Sequence, residues 1–414
     1  MPRSVTKFLT FRPRRDFVID VPGSGTRPRQ RLAAGTQAFV RNDVLCHQLR
    51  TVWRDQVEIV SAQRAIELQP LRSLRSARAR SVLFLLPSEG LGDCVMYAGA
   101  IRQAIRAFSP GRVAIAFSGR STDIFAQLEA DVELYPLLLP RRALLDADLV
   151  VDFETEIPEL QRGATEMAPI DTLILEHLGL PTSYRWPHRR EPRGIRRIGI
   201  FPQSSTAIRS LPPALTASLV TALRTRGFAV EVMLEPRFRQ GRLYQERLAA
   251  LLDQQAPIVS DLATIDRLLA YIREIDYGIF CDSGPAHIAK MFAVPGFGIY
   301  TSVAADLVQG GFDNLARWSA DYASDWCRAP CGLTRLMRTA DGERYGCMAS
   351  LRTGQADLVL PFRVPEAEVA RLLLEEPVGC VASLVRDQEL ILARLLDHLA
   401  RLVGGPGAET PGPR

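Results

Sequence analysis

Twice along this chain of 414 residues, apolar runs of strand length alternate with stretches of helical apolar spacing. The first series opens at Ser81-Val82-Leu83-Phe84-Leu85-Leu86, an apolar run of the kind a strand buried on both faces requires. It breaks at Pro87-Ser88-Glu89-Gly90-Leu91-Gly92-Asp93. A helix is expected over about 95–108, stopped by Pro110-Gly111, followed by strands at 112–117 and, further on, 149–153. The polar, proline-bearing stretch 187–194 reads as a linker, and after it the pattern restarts. Strands are expected at 197–201, 228–234, 258–259, 277–281 and 296–300. Helices are expected around 213–226, 243–252, 265–275 and 287–292. This alternation makes βαβ units and a parallel sheet. Two such doubly wound halves in succession imply an α/β chain with a cleft between them, ligands binding beyond the carboxyl ends of the strands.

A chain this long exceeds one ordinary core, so the halves account for two domains with attachments. The expected boundaries are an N-terminal extension over 1–79, a first domain over 80–190, a second over 191–318 and a cysteine-bearing tail over 319–414. Within the extension, Phe17-Val18-Ile19-Asp20-Val21 and Gln37-Ala38-Phe39-Val40 read as short strands of a small β-rich module. The tail carries helical patterns over 365–376 and 383–402 before a glycine- and proline-rich end, read as disordered. No stretch approaches the roughly 18 apolar residues of a spanning helix, and Met1-Pro2-Arg3-Ser4 opens no apolar signal region. A cytoplasmic protein is expected. The net charge is +5; 49 of the 51 basic residues are arginine, only Lys7 and Lys290 being lysine. Basic residues gather at Arg12, Arg14, Arg15, Arg27, Arg29 and Arg31 and again over 72–80, but no nucleic-acid motif accompanies them.

The segment richest in chemistry is Phe280-Cys281-Asp282-Ser283-Gly284-Pro285-Ala286-His287-Ile288-Ala289-Lys290, followed by Ala293-Val294-Pro295. A buried strand is expected to end at Asp282, and Ser283 and Gly284 then turn the chain into a helix. Such a helix start, with free N–H groups, favours an anion. Gly284 permits close approach of a ligand, Pro285 suits the first helical position, and His287 can donate to phosphate or hydroxyl groups. By chemistry alone the same residues suit a plain helix cap equally well.

Asp-Ser-Gly-Pro-x-His-x-Ala followed by Val-Pro and a strand resembles the signature of the heptosyltransferases, glycosyltransferase family 9. Leu91-Gly92-Asp93 before a helix resembles that family's N-terminal Gly-Asp motif. Phe201-Pro202-Gln203-Ser204-Ser205, with Arg209-Ser210-Leu211-Pro212, resembles its donor-phosphate loop. The match covers about residues 80–350 in order and spacing. It implies a GT-B type fold of two facing Rossmann-like domains, the donor nucleotide being held by the second. It also implies roles. Asp93 would be the general base that takes the acceptor hydroxyl's proton, with Gly92 in the acceptor-side loop. Ser204, Ser205, Arg209, Asp282, Ser283, Gly284, Pro285 and His287 would hold the donor diphosphate. Without the resemblance, Asp93 reads as a helix cap and Arg209 as part of a solvated turn.

The function so implied is transfer of heptose from ADP-heptose to a lipopolysaccharide-core or related glycan acceptor. No cofactor is required, and peripheral contact with the inner membrane and no nucleic-acid partner are expected. Alternatives are a protein acceptor, a non-catalytic nucleotide-sugar-binding protein, and an epimerase of similar architecture. The chain departs from the family pattern in Gln203, where glycine is usual, and in Arg209-Ser210, where lysine and an aromatic are usual. Glu235 follows the strand that carries a ribose-binding acid in some relatives but is out of register. Seven cysteines in a cytosolic chain are expected to be reduced. Cys327, Cys331 and Cys347 cluster, but no fourth ligand has the spacing of a zinc or iron site, so the three are read as incidental thiols.

Overall fold

The computed structural model describes residues 3–4, 9–20, 29–40, 43–60, 67–87, 90–117, 119, 121–128, 130–164, 167–187, 194–235, 239–252, 258–259, 262, 264–361 and 364–403. Most of the expected linker and the glycine-rich end lie outside these residues. The chain divides into two compact units. The first comprises residues 1–184 with 264–267, the second residues 185–263 with 268–414.

In the first unit, Leu9–Pro13 lies between Ala38–Val40 and Val57–Val60, and Leu139–Pro140 completes this antiparallel sheet beside Ala38–Val40. Phe17–Asp20 pairs with Arg29–Leu32. Phe11, Phe17 and Leu49 are buried together, with Trp53 edge-on to Phe17 at 5.4 Å. The N-terminal strands are therefore built into the first unit through residues 139–140.

The sheet that follows holds β1 (Ser81–Leu85), β2 (Arg112–Ala116), β3 (Val132–Tyr135) and β4 (Leu149–Asp152). All are parallel, in the order β3-β2-β1-β4. Helix α1 (Leu91–Phe108) follows β1. It begins four residues earlier than expected, because the Asp93 carboxylate secures its first turn by accepting from the Gly90 N–H at 3.0 Å.

The second unit holds β5 (Arg197–Phe201), α2 (Pro213–Arg224), β6 (Ala229–Met233), α3 (Arg239–Leu251), β7 (Ile258–Val259), α4 (Ile265–Glu274, of which 265–267 count with the first unit), β8 (Tyr277–Cys281), α5 (Gly284–Met291), β9 (Gly296–Tyr300) and β10 (Leu315–Ser319). Its parallel order is β7-β6-β5-β8-β9-β10, and every residue of β8 and β9 is buried. Renumbered within the unit this is 3-2-1-4-5-6, the doubly wound order of dinucleotide-binding sheets. Strand β10 was not expected; only Leu315 of it is fully buried, so it lacks the apolar run of its neighbours.

The tail packs into the same core as this sheet. Leu333, Cys347, Val381, Leu384, Ile391 and Leu395 are buried with Ile198, Val232 and Ile279. Two expected tail helices differ. The first is Glu366–Ala370 running into a π-helical turn, Arg371–Glu375. The second is interrupted at Asp387, which ends Gly379–Arg386 before Gln388–Val403 begins. No helix among the described residues is long and apolar enough to cross a membrane.

Candidate functional site

In a doubly wound sheet the loops after the two central strands diverge to opposite sides, and the gap between them is where ligands bind. In the second unit those strands are β5 and β8. The loop after β5 carries Ser204, Ser205 and Arg209; the turn after β8 carries Asp282, Ser283 and Gly284. The fold thus brings two sequence motifs, more than 70 residues apart, to one place. Arg209 Nη1 lies 3.2 Å from Asp282 Oδ2, and Arg209 Nη2 donates to Ser205 Oγ at 3.3 Å.

The loop is shaped by its own hydrogen bonds. The Ser204 N–H donates to Ser210 Oγ at 2.9 Å, and the Ser210 hydroxyl donates to the Thr206 carbonyl at 2.9 Å. The Leu211 N–H donates to the Pro202 carbonyl at 2.7 Å, closing the loop before α2. Thr301 at the end of β9 donates to the Ile208 carbonyl. Gln203, the departure from the family pattern, accepts from the Glu235 N–H at 3.4 Å and so ties the residues after β6 to this loop.

This framework leaves Ser204 Oγ, Thr206 Oγ1, Arg209 Nε and Asp282 Oδ2 buried with no hydrogen-bond partner. For Asp282 Oδ2 the ion pair is close enough in distance but too poorly aligned to count as a hydrogen bond. Buried polar groups normally find partners, so a cluster of unpaired ones at a switch point marks a place where a ligand completes them.

The structure refines three expectations at the second motif. Strand β8 ends at Cys281, one residue before Asp282, and Pro285 occupies the second helical position rather than the first, because α5 begins at Gly284. Ser283 precedes α5 but does not cap it with its side chain, which donates to the Cys281 carbonyl at 3.3 Å. The capping role that its residue type suggests is therefore not filled by its hydroxyl. His287 stands one turn into α5, buried, with Nδ1 3.3 Å from Lys290 Nζ. Burial, with the charges of Lys290 and Arg209 nearby, holds its imidazole well below the usual histidine range. Burial likewise pushes the Cys281 thiol up to about 12, so it is a neutral core thiol.

In the first unit the strand order reverses between β1 and β4. Gly90, Gly92 and Asp93 follow β1, so the acidic motif also lies at a switch point. Asp152 ends β4; its buried carboxylate accepts from the Glu154 N–H at 3.1 Å and from the Thr155 hydroxyl at 3.3 Å. That is a helix-capping role. Asp93 sits at the third helical position and reaches back to the Gly90 N–H, an engagement that uses one carboxylate oxygen, Oδ2.

The thiol cluster gains a member the sequence analysis missed. Cys380 joins Cys327, Cys331 and Cys347 around one cavity of about 10 Å³, with Ile208 and Ser302 also in its wall. All four are free thiols. Burial pushes the Cys331 and Cys380 thiols up, Cys380 to about 12, and the neighbouring sulfurs push them further. Among the described residues no group of three or more His, Cys, Asp or Glu side chains is arranged to hold a metal ion. The donor set nonetheless has the number and type of a tetrahedral zinc or iron site. A staggered χ1 change moves a cysteine sulfur by about 3 Å.

Both units are thus Rossmann-like, and the second carries an incomplete polar cradle where such sheets bind ligands. No family model matches the chain, and no curated protein matches it. Among solved structures it is similar to an iron-containing dodecameric glycosyltransferase, TibC, of enterotoxigenic E. coli. The identity there is 13%, over 96% of this chain and 93% of that one, with a TM-score of 0.47. It is similar to a family 9 glycosyl transferase of Veillonella parvula at 12% identity, over 59% of this chain and 87% of that one, TM-score 0.45. It is similar as well to ADP-heptose lipopolysaccharide heptosyltransferase II of E. coli at 11% identity, over 76% of this chain and 99% of that one, TM-score 0.42.

Proposed function

We propose that this chain is a glycosyltransferase that takes a sugar, heptose from ADP-heptose, and passes it to a glycan acceptor of the lipopolysaccharide-core kind. The observation that carries the reading is the meeting of Arg209 with Asp282 at the switch point of the second sheet, among polar atoms that lack partners. The motif resemblance supplies the donor and acceptor class. In the reaction the acceptor hydroxyl attacks the anomeric carbon and Asp93 takes its proton. The bond from that carbon to the diphosphate oxygen breaks, and the nucleoside diphosphate departs with added negative charge. Arg209, Ser204, Ser205 and the start of α5 receive that charge, His287 adds a neutral N–H, and the transfer step needs no metal. The reaction belongs in the cytoplasm, where nucleotide sugars are made, with the acceptor at the membrane's inner face.

Asp93→Asn tests the reading. The amide oxygen can still accept from the Gly90 N–H, so α1 keeps its first turn. General-base loss lowers transfer by about 100-fold to 10,000-fold, while ADP affinity stays within about twofold of wild type. A variant that transfers as fast as wild type removes Asp93 from the mechanism. Nucleotide binding without any transfer in the wild type itself favours the non-catalytic alternative.

A second reading concerns the tail. Because Cys380 completes a set of four thiols around one cavity, we propose that Cys327, Cys331, Cys347 and Cys380 hold a structural zinc or iron ion, which on binding displaces their protons. Metal analysis of the purified protein is expected to show near-stoichiometric zinc or iron, and Cys380→Ser to lower it severalfold. Wild-type protein without either metal ends this reading and leaves the donor site untouched.

A further inference from the structure

In a chain where 49 of 51 basic residues are arginine, a buried lysine stands out. Lys290 lies on α5, one turn beyond His287, and is 5% exposed. Its Nζ donates to the Val308 carbonyl, lies 3.3 Å from His287 Nδ1, and sits 5.4 Å from the centre of the Phe312 ring. An ammonium has three donors and no acceptor. Contact with Nδ1 is favourable only when that nitrogen carries no proton, and a neutral imidazole then carries its proton on Nε2. Arginine would bring a longer, planar fork of five donors in place of one compact ammonium. The one place among the described residues where the chain keeps lysine is the place where a compact donor faces a ring nitrogen.

The surrounding charges act in the same direction. Lys290 on the same helix and Arg209 on the loop after β5 both oppose a charged imidazole. The acid of the turn before α5, Asp282, is engaged with the Arg209 guanidinium.

We propose that Lys290 is a positioning residue that locks His287 as a neutral imidazole protonated on Nε2, so that it serves as an N–H donor to the diphosphate of a bound nucleoside diphosphate. This rests on the donor site proposed above. Ligand binding then draws no proton onto His287, and the departing diphosphate meets a dipole there instead of a further full charge.

The test uses the full chain labelled with 15N-histidine, His287→Gln assigning the resonances. In wild-type protein without nucleotide, two-bond 1H–15N spectra are expected to show His287 bare at Nδ1 and protonated at Nε2, unchanged from about pH 6 to about pH 9. Lys290→Met is expected to show both tautomers and to bind ADP roughly 5-fold to 10-fold more weakly near pH 8, the loss shrinking toward pH 6. A wild-type His287 protonated on Nδ1, or titrating within that range, overturns the proposal, and this readout stands even if the variant fails to fold. Lys290→Met with wild-type tautomer and affinity overturns it too. Failure of wild-type protein to bind ADP with the tautomer as expected counts against the nucleotide reading, a result distinct from failure of the lock.

Discussion

The protonation of His287 ties the stability of this fold to pH. In the folded chain its imidazole is held well below the usual histidine range by burial, with Lys290 and Arg209 adding to the effect. At a pH between the depressed folded value and about 6.5 the unfolded chain binds a proton that the folded chain does not. Stability therefore rises with pH up to that point and is lost as pH falls below it. His398, half-buried beside Tyr277, is depressed by its own burial and acts in the same sense, so some loss persists without His287. His287→Gln is expected to flatten the acid limb of a melting-temperature profile between about pH 6.5 and pH 5. Parallel profiles for variant and wild type refute this account. That Asp282, Arg209 and Asp93 lie in loops or helix starts just after buried strands was legible from the sequence because their motifs are local. The role of Gln203 was not, since its partner, the Glu235 N–H, lies 32 residues away at the end of another strand.

At the scale of elements, the central strands show why glycine stands where it does. An added Cβ at Gly296, in β9, would lie 2.2 Å from the Gly278 carbonyl oxygen of β8 and 2.8 Å from Leu315 Cδ2 of β10. The Leu315 side chain can turn aside, but the Gly278 carbonyl is backbone and cannot yield without disturbing the β8–β9 ladder. Gly296→Ala is expected to destabilise the second unit by about 3 kcal/mol, visible as a drop of several degrees in melting temperature. An unchanged melting temperature shows that the strands are not packed this closely. The strands of this sheet were legible because a parallel sheet covered on both faces needs uninterrupted apolar runs. Strand β10, Leu-Ala-Arg-Trp-Ser, escaped because an edge strand is relieved of that demand. Cys380 escaped for a different reason. It lies 33 residues beyond Cys347 at the start of a helix, and only packing of that helix into the second core delivers it to the other thiols.

At the scale of the whole molecule, the sequence pattern marked two doubly wound sheets, while the contacts drew the parts at either end into them. The N-terminal strands are joined to the first unit by pairing with residues 139–140, and the tail helices share the core of the second. Neither attachment is visible in local patterning, because each depends on pairing or packing between distant segments. If the second unit holds a nucleotide-sugar donor, the protein's melting temperature responds selectively to a panel of such compounds. At a ligand concentration about 100-fold above its dissociation constant, the added stability is about 2.7 kcal/mol. ADP-heptose is expected to raise the melting temperature most, and equal response to every nucleotide sugar rules out a donor-specific site. The near-absence of lysine has a practical consequence for watching that site. Amine-reactive reagents have few targets on this chain, and the Lys290 side chain is enclosed by α5 and the Val308 carbonyl. Acylation at that one position, followed by mass spectrometry, reads out directly how often the packing around α5 opens.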